Sequence, residues 1–129
     1  MKKAIIGFTL LTLTACGGLN PNTIEVSTKP NRLTASEVKF VQSVVAEQSR
    51  EPEAVRFRNL YSFVTSAGDT IVCGEVNAKN AYGGYVGYRP MWVRFKGTEV
   101  KSVLWDENYA ASNAASCAEA KLGKAMVSS

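Results

Sequence analysis

The chain has 129 residues, of which 46% are hydrophobic and 20% are charged, a composition typical of one globular domain. Its net charge of +4 is too small to indicate the concentrated basic face that nucleic-acid binding requires. The sequence contains no histidine, which excludes the commonest general base, the Ser–His and Cys–His nucleophile pairs and most zinc sites. We therefore expect a non-catalytic protein without a cofactor or a metal.

Residues 1–15 have the layout of a secretory signal peptide. Lys2 and Lys3 give a positive start, and the apolar run over residues 4–13 is too short to span a bilayer. The sequence Leu-Thr-Ala-Cys that ends at Cys16 resembles the lipobox of bacterial lipoproteins. This resemblance implies cleavage before Cys16, attachment of diacylglycerol to its thiol and acylation of the new N-terminus. Because several acyl chains anchor a protein stably where one does not, we predict a lipid-anchored, exported protein.

The residues around the cleavage site refine this prediction. Gly17 follows the cysteine, in place of the aspartate that resembles an inner-membrane retention signal, so the outer membrane is expected in a host with two membranes. Loss of Lys2 and Lys3 with the peptide leaves a net charge of +2. The alternative is an ordinary signal peptide cut near Ala15, with Cys16 left as a free thiol.

Cys73 and Cys117 are the cysteines that remain after Cys16 is assigned to the lipid. An even pair in an oxidising compartment favours one disulfide. It would close a loop of roughly 45 residues and stabilise the fold by about 3–4 kcal/mol in the loop-entropy model. The alternative is a nucleophilic Cys73, which the absence of an activating histidine disfavours.

Residues 16–33 are rich in Gly, Pro, Asn, Ser and Thr, and we predict a flexible tether between lipid and domain. The alternative is that Thr23 to Ser27 adds an edge strand.

A helix is predicted from Ala35 to Ser49, because Thr34 and Glu37 match a capping box and apolar residues recur beyond it at helical spacing. Its apolar stripe is mostly valine, so packing against a sheet should hold this helix rather than intrinsic propensity.

Four strands are predicted next, and short turns join the first to the second and the third to the fourth, which favours an antiparallel meander. Their predicted ranges are Arg56–Thr65, Thr70–Ala78, Tyr88–Lys96 and Glu99–Asp106. An alanine-rich helix is predicted from about Tyr109 to Leu122, with Gly123 as its stop and residues 124–129 as a frayed tail. The predicted fold of residues 34–123 is therefore α+β: a four-stranded antiparallel meander sheet, an N-terminal helix packed on it, and a C-terminal helix tied by the disulfide.

The segment from Cys73 to Pro90, CGEVNAKNAYGGYVGYRP, has the most unusual composition in the chain. Tyrosine provides rigid contact area and glycine permits close backbone approach, a combination typical of recognition loops. The candidate contact residues are Lys79, Asn80, Tyr82, Tyr85, Tyr88 and Arg89, and the candidate loop-organising residues are Asn77, Gly83, Gly84 and Gly87. The structural alternative is that glycines supply turn angles, tyrosines cover the sheet and asparagines bond the loop's own backbone.

The first helix, the run Glu-Pro-Glu-Ala-Val-Arg-Phe-Arg-Asn and the Cys73–Pro90 segment together resemble a recurring type of small exported bacterial protein, found with and without a lipobox. The resemblance covers roughly Ser36 to Cys117 and implies a shared small α+β domain with no firmly attached activity. In this type a phenylalanine commonly follows the proline, where the present chain has Met91.

These observations predict a non-catalytic envelope lipoprotein of accessory or surface-exclusion type, whose loop contacts another envelope protein. The carboxylates considered for paired acid–base chemistry are predicted to be solvated surface charges, since no spacing brings two together. They are Asp69, Glu75, Glu99 and Asp106.

The alternative function is binding of a small ligand or glycan, such as a peptidoglycan fragment, in a groove lined by aromatic residues. The residues considered for that groove are Tyr82, Tyr85, Tyr88 and Trp92.

Overall fold

The computed structural model describes residues 22–129, so the predicted signal peptide and Cys16 lie outside the described residues. Six strands and two α-helices make up this part of the chain. In order they are β1 (Thr23–Asn31), α1 (Ala35–Ala46), β2 (Arg56–Thr65), β3 (Thr70–Asn77), β4 (Arg89–Lys96), β5 (Glu99–Leu104), α2 (Ala110–Lys121) and β6 (Lys124–Ser128). Single turns of 3-10 helix at Pro52–Ala54 and Glu107–Tyr109 precede β2 and α2.

The strands form one antiparallel sheet in the order β5-β4-β3-β2-β1-β6. The α+β class, the antiparallel sheet, the C-terminal helix and the Cys73–Cys117 disulfide are confirmed. The predicted number of four strands is wrong, because the sheet has six. The meander from β2 to β5 follows the predicted order, and the two additional strands come from the two ends of the described chain.

Strands β1 and β6 correct the prediction of a flexible tether over Thr23–Asn31 and that of a frayed tail over Lys124–Ser128. Residues 16–21 of the predicted tether lie outside the described residues. The first half of β1, Thr23–Ser27, pairs with β6, and the second half, Thr28–Asn31, pairs with β2. The segment is therefore an interior strand and not the edge strand considered as the alternative. Each strand alternates buried and exposed residues, with Val26 facing Ala125 in the core, so both segments bury apolar surface and satisfy their backbone groups together.

Helix α1 covers one face of the sheet. It begins with the predicted capping box, in which Thr34 Oγ1 accepts from the Glu37 amide at 3.2 Å and the Thr34 amide donates to Glu37 Oε2 at 2.8 Å. The helix ends at Ala46, three residues before the predicted end. Its buried valines, Val41 and Val45, pack in one apolar cluster with side chains of β3 and β4. Tertiary packing thus offsets the modest helix propensity of valine.

Helix α2 covers the opposite face. The disulfide from Cys73 in β3 to Cys117 in α2 has a Cα–Cα distance of 6.1 Å, and it ties the helix to the middle of the sheet. Cys73, Trp92 and Ala120 belong to the apolar cluster under this helix, which also receives side chains from β1 and β6. Within residues 22–129, neither helix is both long and apolar enough to cross a bilayer.

The two ends of the sheet differ in structure. Strand β3 runs from Thr70, beside the turn at residues 66–69, to Asn77, where the loop at residues 78–88 begins. In β1, Thr28 pairs with Thr65 and the residues before it extend past that turn. The chain therefore enters the domain at the turn end, and the loop lies at the opposite, loop end.

Candidate interaction loop and a buried charge cluster

The loop that joins β3 to β4 has a closed backbone structure. Lys79 and Tyr85 form an isolated antiparallel bridge. Beyond the bridge, the Asn80 amide donates to the Gly84 carbonyl at 2.8 Å and the Gly83 amide donates to the Asn80 carbonyl at 3.1 Å. Gly83 has a φ of 79°, a left-handed conformation that favours glycine in such a turn. These bonds give the loop a short tip with a defined shape.

Two asparagine side chains hold this backbone. Asn80 Oδ1 accepts from the Tyr82 amide at 2.9 Å and from the Gly84 amide at 3.1 Å. Asn77 Oδ1 accepts from the Gly87 amide at 3.0 Å, and so joins the start of the loop to its end. Asparagine oxygens commonly replace backbone acceptors in turns. The sequence suggests Asn80 both as a contact residue and, with Asn77, as a loop-organising residue, and its oxygen is occupied within the loop.

Tyr85 and Tyr88 are held against the scaffold by cations of β2. The Tyr85 hydroxyl donates to the Ala54 carbonyl at 2.7 Å, and the Arg56 guanidinium lies 4.5 Å from the centroid of the Tyr85 ring. The Arg58 guanidinium lies 3.8 Å from the centroid of the Tyr88 ring. Cations at these distances are attracted to the face of the ring. The two rings thus brace the loop against β2.

The two basic contact candidates of the loop also have partners. Lys79 Nζ lies 3.1 Å from Glu51 Oε2, and Arg89 Nη2 lies 3.6 Å from Glu107 Oε2. Tyr82 differs from every other contact candidate, because its side chain is 96% exposed and only its backbone amide is bonded. Beside it, Tyr85 and Val86 are 37% and 42% exposed. We refer to Tyr82, Tyr85 and Val86 as the tip patch.

Trp92 does not join the tyrosines in one groove. It pairs with Cys73 across the sheet, is 5% exposed and packs in the core beneath α2. The cleft that it lines contains none of the three loop tyrosines. The four aromatic residues considered for a glycan groove are thus divided between two surfaces.

A buried charge cluster lies at the turn end. Arg94 Nη1 donates to Asp69 Oδ2 at 2.8 Å, and their side chains are 4% and 1% exposed. Lys101 Nζ lies 3.1 Å from Asp69 Oδ1, although this oxygen accepts no directed hydrogen bond, so the second contact is ionic. The register between β4 and β5 shifts at this point and leaves Lys101 as the extra, bulged residue beside the partner of Arg94. The prediction that Asp69 is a solvated surface charge is wrong.

The electrostatic environments of Asp69 and Glu75 keep both carboxyl groups ionised. Burial alone would raise the pKa of Asp69, but the contacts of Lys101 and Arg94 outweigh it and hold that pKa below its usual range. The hydrogen bond from Arg58, at 2.6 Å, lowers the pKa of Glu75. A general acid near neutral pH needs a raised pKa, so both shifts run against that role. Among residues 22–129 there is also no cluster of three or more His, Cys, Asp or Glu placed to hold a metal ion.

The sequence carried one signal for the buried cluster that its interpretation missed. Arg94 stands in the run Met-Trp-Val-Arg-Phe, whose other members are all buried. A charged residue in such a strand requires a buried partner of opposite sign. Two carboxylates, Asp69 and Glu99, lie beside the turns that flank β3 and β4, and the fold shows that Asp69 is the partner.

Comparisons with protein families, with curated proteins and with solved structures found no match for this chain. The resemblance to a type of small exported bacterial protein therefore stays a prediction. Function has to be inferred from the residues and their geometry.

Proposed function

We propose that this protein is a non-catalytic lipoprotein of the bacterial envelope that contacts a protein partner through the tip patch. The observation that carries the proposal is the exposure of Tyr82, 96%, on a loop whose asparagines and other two tyrosines hold its shape. Ordering a flexible loop on binding costs free energy, so a preformed loop binds at lower cost. Exposed tyrosine beside apolar surface is the composition of an interface hot spot.

The placement of the loop supports a role at a distance from the membrane. The lipobox at Cys16 precedes β1, and β1 enters the sheet at the turn end. The tip patch lies at the loop end, beyond the full length of β3. A chain anchored through Cys16 would present the patch away from its point of attachment.

The non-catalytic part of the proposal depends on the environment of the acidic groups. Asp69 and Glu75 are each paired with cations, and Glu51 and Glu107 pair with Lys79 and Arg89 at the loop. The pairing lowers the pKa of Asp69 and of Glu75, which suits these two carboxylates to holding structure and not to proton transfer at neutral pH.

Photocrosslinking in cells tests the interaction. A photoreactive amino acid at position 82 should capture a defined envelope protein, while the same probe at position 122 should not. Leu122 is the matched control because it is 82% exposed and lies at the end of α2, away from the loop. Tyr82→Ala should abolish co-purification of that partner and leave the melting temperature unchanged. Equal capture at both positions, or unchanged co-purification, would contradict the role of the patch.

Fractionation of cells tests the anchor. The wild-type chain should partition with detergent-extracted membranes and incorporate labelled fatty acid, and Cys16→Ser should do neither. Cys16→Ser material that still partitions with membranes would contradict the lipid attachment, while the interaction test at position 82 would stand on its own.

A further inference from the structure

A cleft of about 370 Å³ lies on the α2 face, remote from the loop. It is bordered by α2, by β4 and β5, and by the unpaired edge of β6. Its walls carry aromatic and apolar side chains together with four serines, an asparagine and an arginine, and no carboxylate lines it. The residues used below are Trp92, Arg94, Ser102, Asn113, Ser116 and Ser128.

Two buried side chains of this cleft have polar atoms without partners. Trp92 is 5% exposed, and no described residue accepts from its indole N–H. Asn113 is 2% exposed, and its amide nitrogen donates to the Pro90 and Leu104 carbonyls at 3.1 and 2.8 Å, which fixes the direction of its free oxygen. Within residues 22–129, Asp69 Oδ1 is the one side-chain polar atom that is both fully enclosed and without a hydrogen bond. The free atoms of Trp92 and Asn113 are therefore open to the cleft.

Two serine hydroxyls add to the free polar atoms of Trp92 and Asn113 that face the cleft. Ser102 in β5 and Ser116 in α2 line the cleft, and neither makes a side-chain hydrogen bond to a described residue. A hydroxyl both donates and accepts. Ser102 and Ser116 are half-buried, so their hydroxyls, like the free atoms of Trp92 and Asn113, can bond water in the cleft. A ligand with matching donors and acceptors can replace that water and keep each hydrogen bond.

The charge of the cleft is largely neutralised. Arg94 donates to Asp69 at 2.8 Å through one nitrogen and to the Ser128 carbonyl at 3.2 Å through another. Its guanidinium is thus occupied by the protein and is not directed at an anion. What remains is a set of neutral donors and acceptors beside the exposed ring of Tyr109, in a volume at the lower end of the range for ligand pockets.

We propose that this cleft binds a neutral ring saccharide. Ring hydroxyls both donate and accept, which matches the indole N–H, the Asn113 oxygen and the serine hydroxyls, while the apolar face of the ring suits the aromatic and aliphatic walls. The site shares no residue with the tip patch and does not depend on the lipid anchor. Its failure would therefore leave the proposed interaction and anchor untouched.

The two tryptophans of the chain provide an internally controlled test. The Trp105 indole N–H donates to Gln48 Oε1 at 3.0 Å, whereas that of Trp92 is free. In ¹H–¹⁵N spectra of the purified full chain, titration with N-acetylglucosamine or with glucose should shift the Trp92 indole resonance. The shift should saturate with a Kd of the order of 1 mM or tighter, and the Trp105 resonance should stay in place.

A matched pair of variants locates the site. Ser116→Leu fills the cleft from α2, and Ala115→Leu places the same side chain at the neighbouring, exposed position of that helix. We expect saccharide affinity to fall at least tenfold in Ser116→Leu and to be retained in Ala115→Leu.

The wild-type titration decides the proposal even where a variant fails to fold. Absence of any Trp92 shift with both sugars at about 10 mM would overturn it, as would equal shifts of both indole resonances. A Trp92 response to phosphate or acetate but to neither sugar would also overturn it, because the ligand would then be an anion.

Discussion

Both ends of β3 have an ion pair between an arginine and a carboxylate, but one pair is buried and the other is exposed. At the turn end, Arg94 and Asp69 are buried and pair directly inside the protein. At the loop end, Arg58 pairs with Glu75 at a site where their side chains are 51% and 32% exposed, and Arg56 lies on the exposed ring of Tyr85. Breaking a buried pair leaves a desolvated charge, whereas an exposed pair exchanges its partner for water at little cost.

We expect this difference to separate the residues that stabilise the fold from those that take part in the proposed interaction. Ions at the turn end are part of the core, and changes there should act on the free energy of unfolding. Ions and rings at the loop end fix the shape of a surface, and changes there should act on binding with little effect on the fold. The predictions below test this separation, from the largest expected effect to the smallest.

Asp69→Ala should destabilise the fold by about 3 kcal/mol or more, because it leaves Arg94 buried without its counter-ion. Chemical denaturation monitored by circular dichroism measures the change. Glu75→Ala is the matched control at the loop end, and its unfolding midpoint should match the wild type. Equal midpoints for both variants would contradict the contrast between the two ends.

Removal of the disulfide should destabilise the fold by about 2–4 kcal/mol, since the bond closes 44 residues of chain and joins α2 to β3 between the two ends. The double variant Cys73→Ser/Cys117→Ser, compared with the wild type with and without reductant, measures this. The reduced wild type should behave like the double variant. If reductant leaves the wild-type midpoint unchanged, the bond does not contribute as expected.

Acid should weaken the turn end selectively. The folded pKa of Asp69 is held below its unfolded value of about 3.9, so its ionised form contributes stability that is complete above that pH and is lost as the pH falls through the folded pKa. The difference in unfolding free energy between wild type and Asp69→Asn should therefore be constant at neutral pH and shrink below about pH 4. A constant difference down to the folded pKa would contradict this linkage.

Asn80→Ala should have the smallest effect, about 0.5–1 kcal/mol or less, because the amides it releases are exposed to water. Hydrogen exchange should nevertheless accelerate at the Tyr82 and Gly84 amides. Asn108→Ala, an exposed asparagine outside the loop, should leave both rates unchanged. Unaltered exchange in Asn80→Ala would show that the backbone alone shapes the tip.

Local patterns in the sequence predicted much of this fold. The capping box at Thr34 placed the start of α1, and alternation placed β2 at its observed bounds, Arg56–Thr65. The cysteine count gave the Cys73–Cys117 pair. These features depend on residues that are close in the chain or on the number of cysteines, and both can be read from a single sequence.

The missed features depend on pairing between distant segments. The sequence of β1 indicates a tether because Pro30 and its Asn, Ser and Thr residues are typical of loops, and β6 is only five residues long. β6 forms a strand because β1 pairs with it, and β1 forms one because it pairs with both β6 and β2. The separation of Trp92 from the loop tyrosines likewise depends on which face of β4 each residue occupies relative to α2.

The pairing of β1 with β6 has a consequence for the order of folding. The contact between Thr23 and Ser128 spans nearly the whole described chain, and Ser128 also caps the buried Arg94. Such long-range closure is slow, because the entropy of the intervening chain is lost before the contact is gained. In a chain threaded across a membrane from its N-terminus, the core would remain open until residues 124–128 emerge. If the chain is exported as proposed, its native state would therefore form only after residues 124–128 have crossed the membrane.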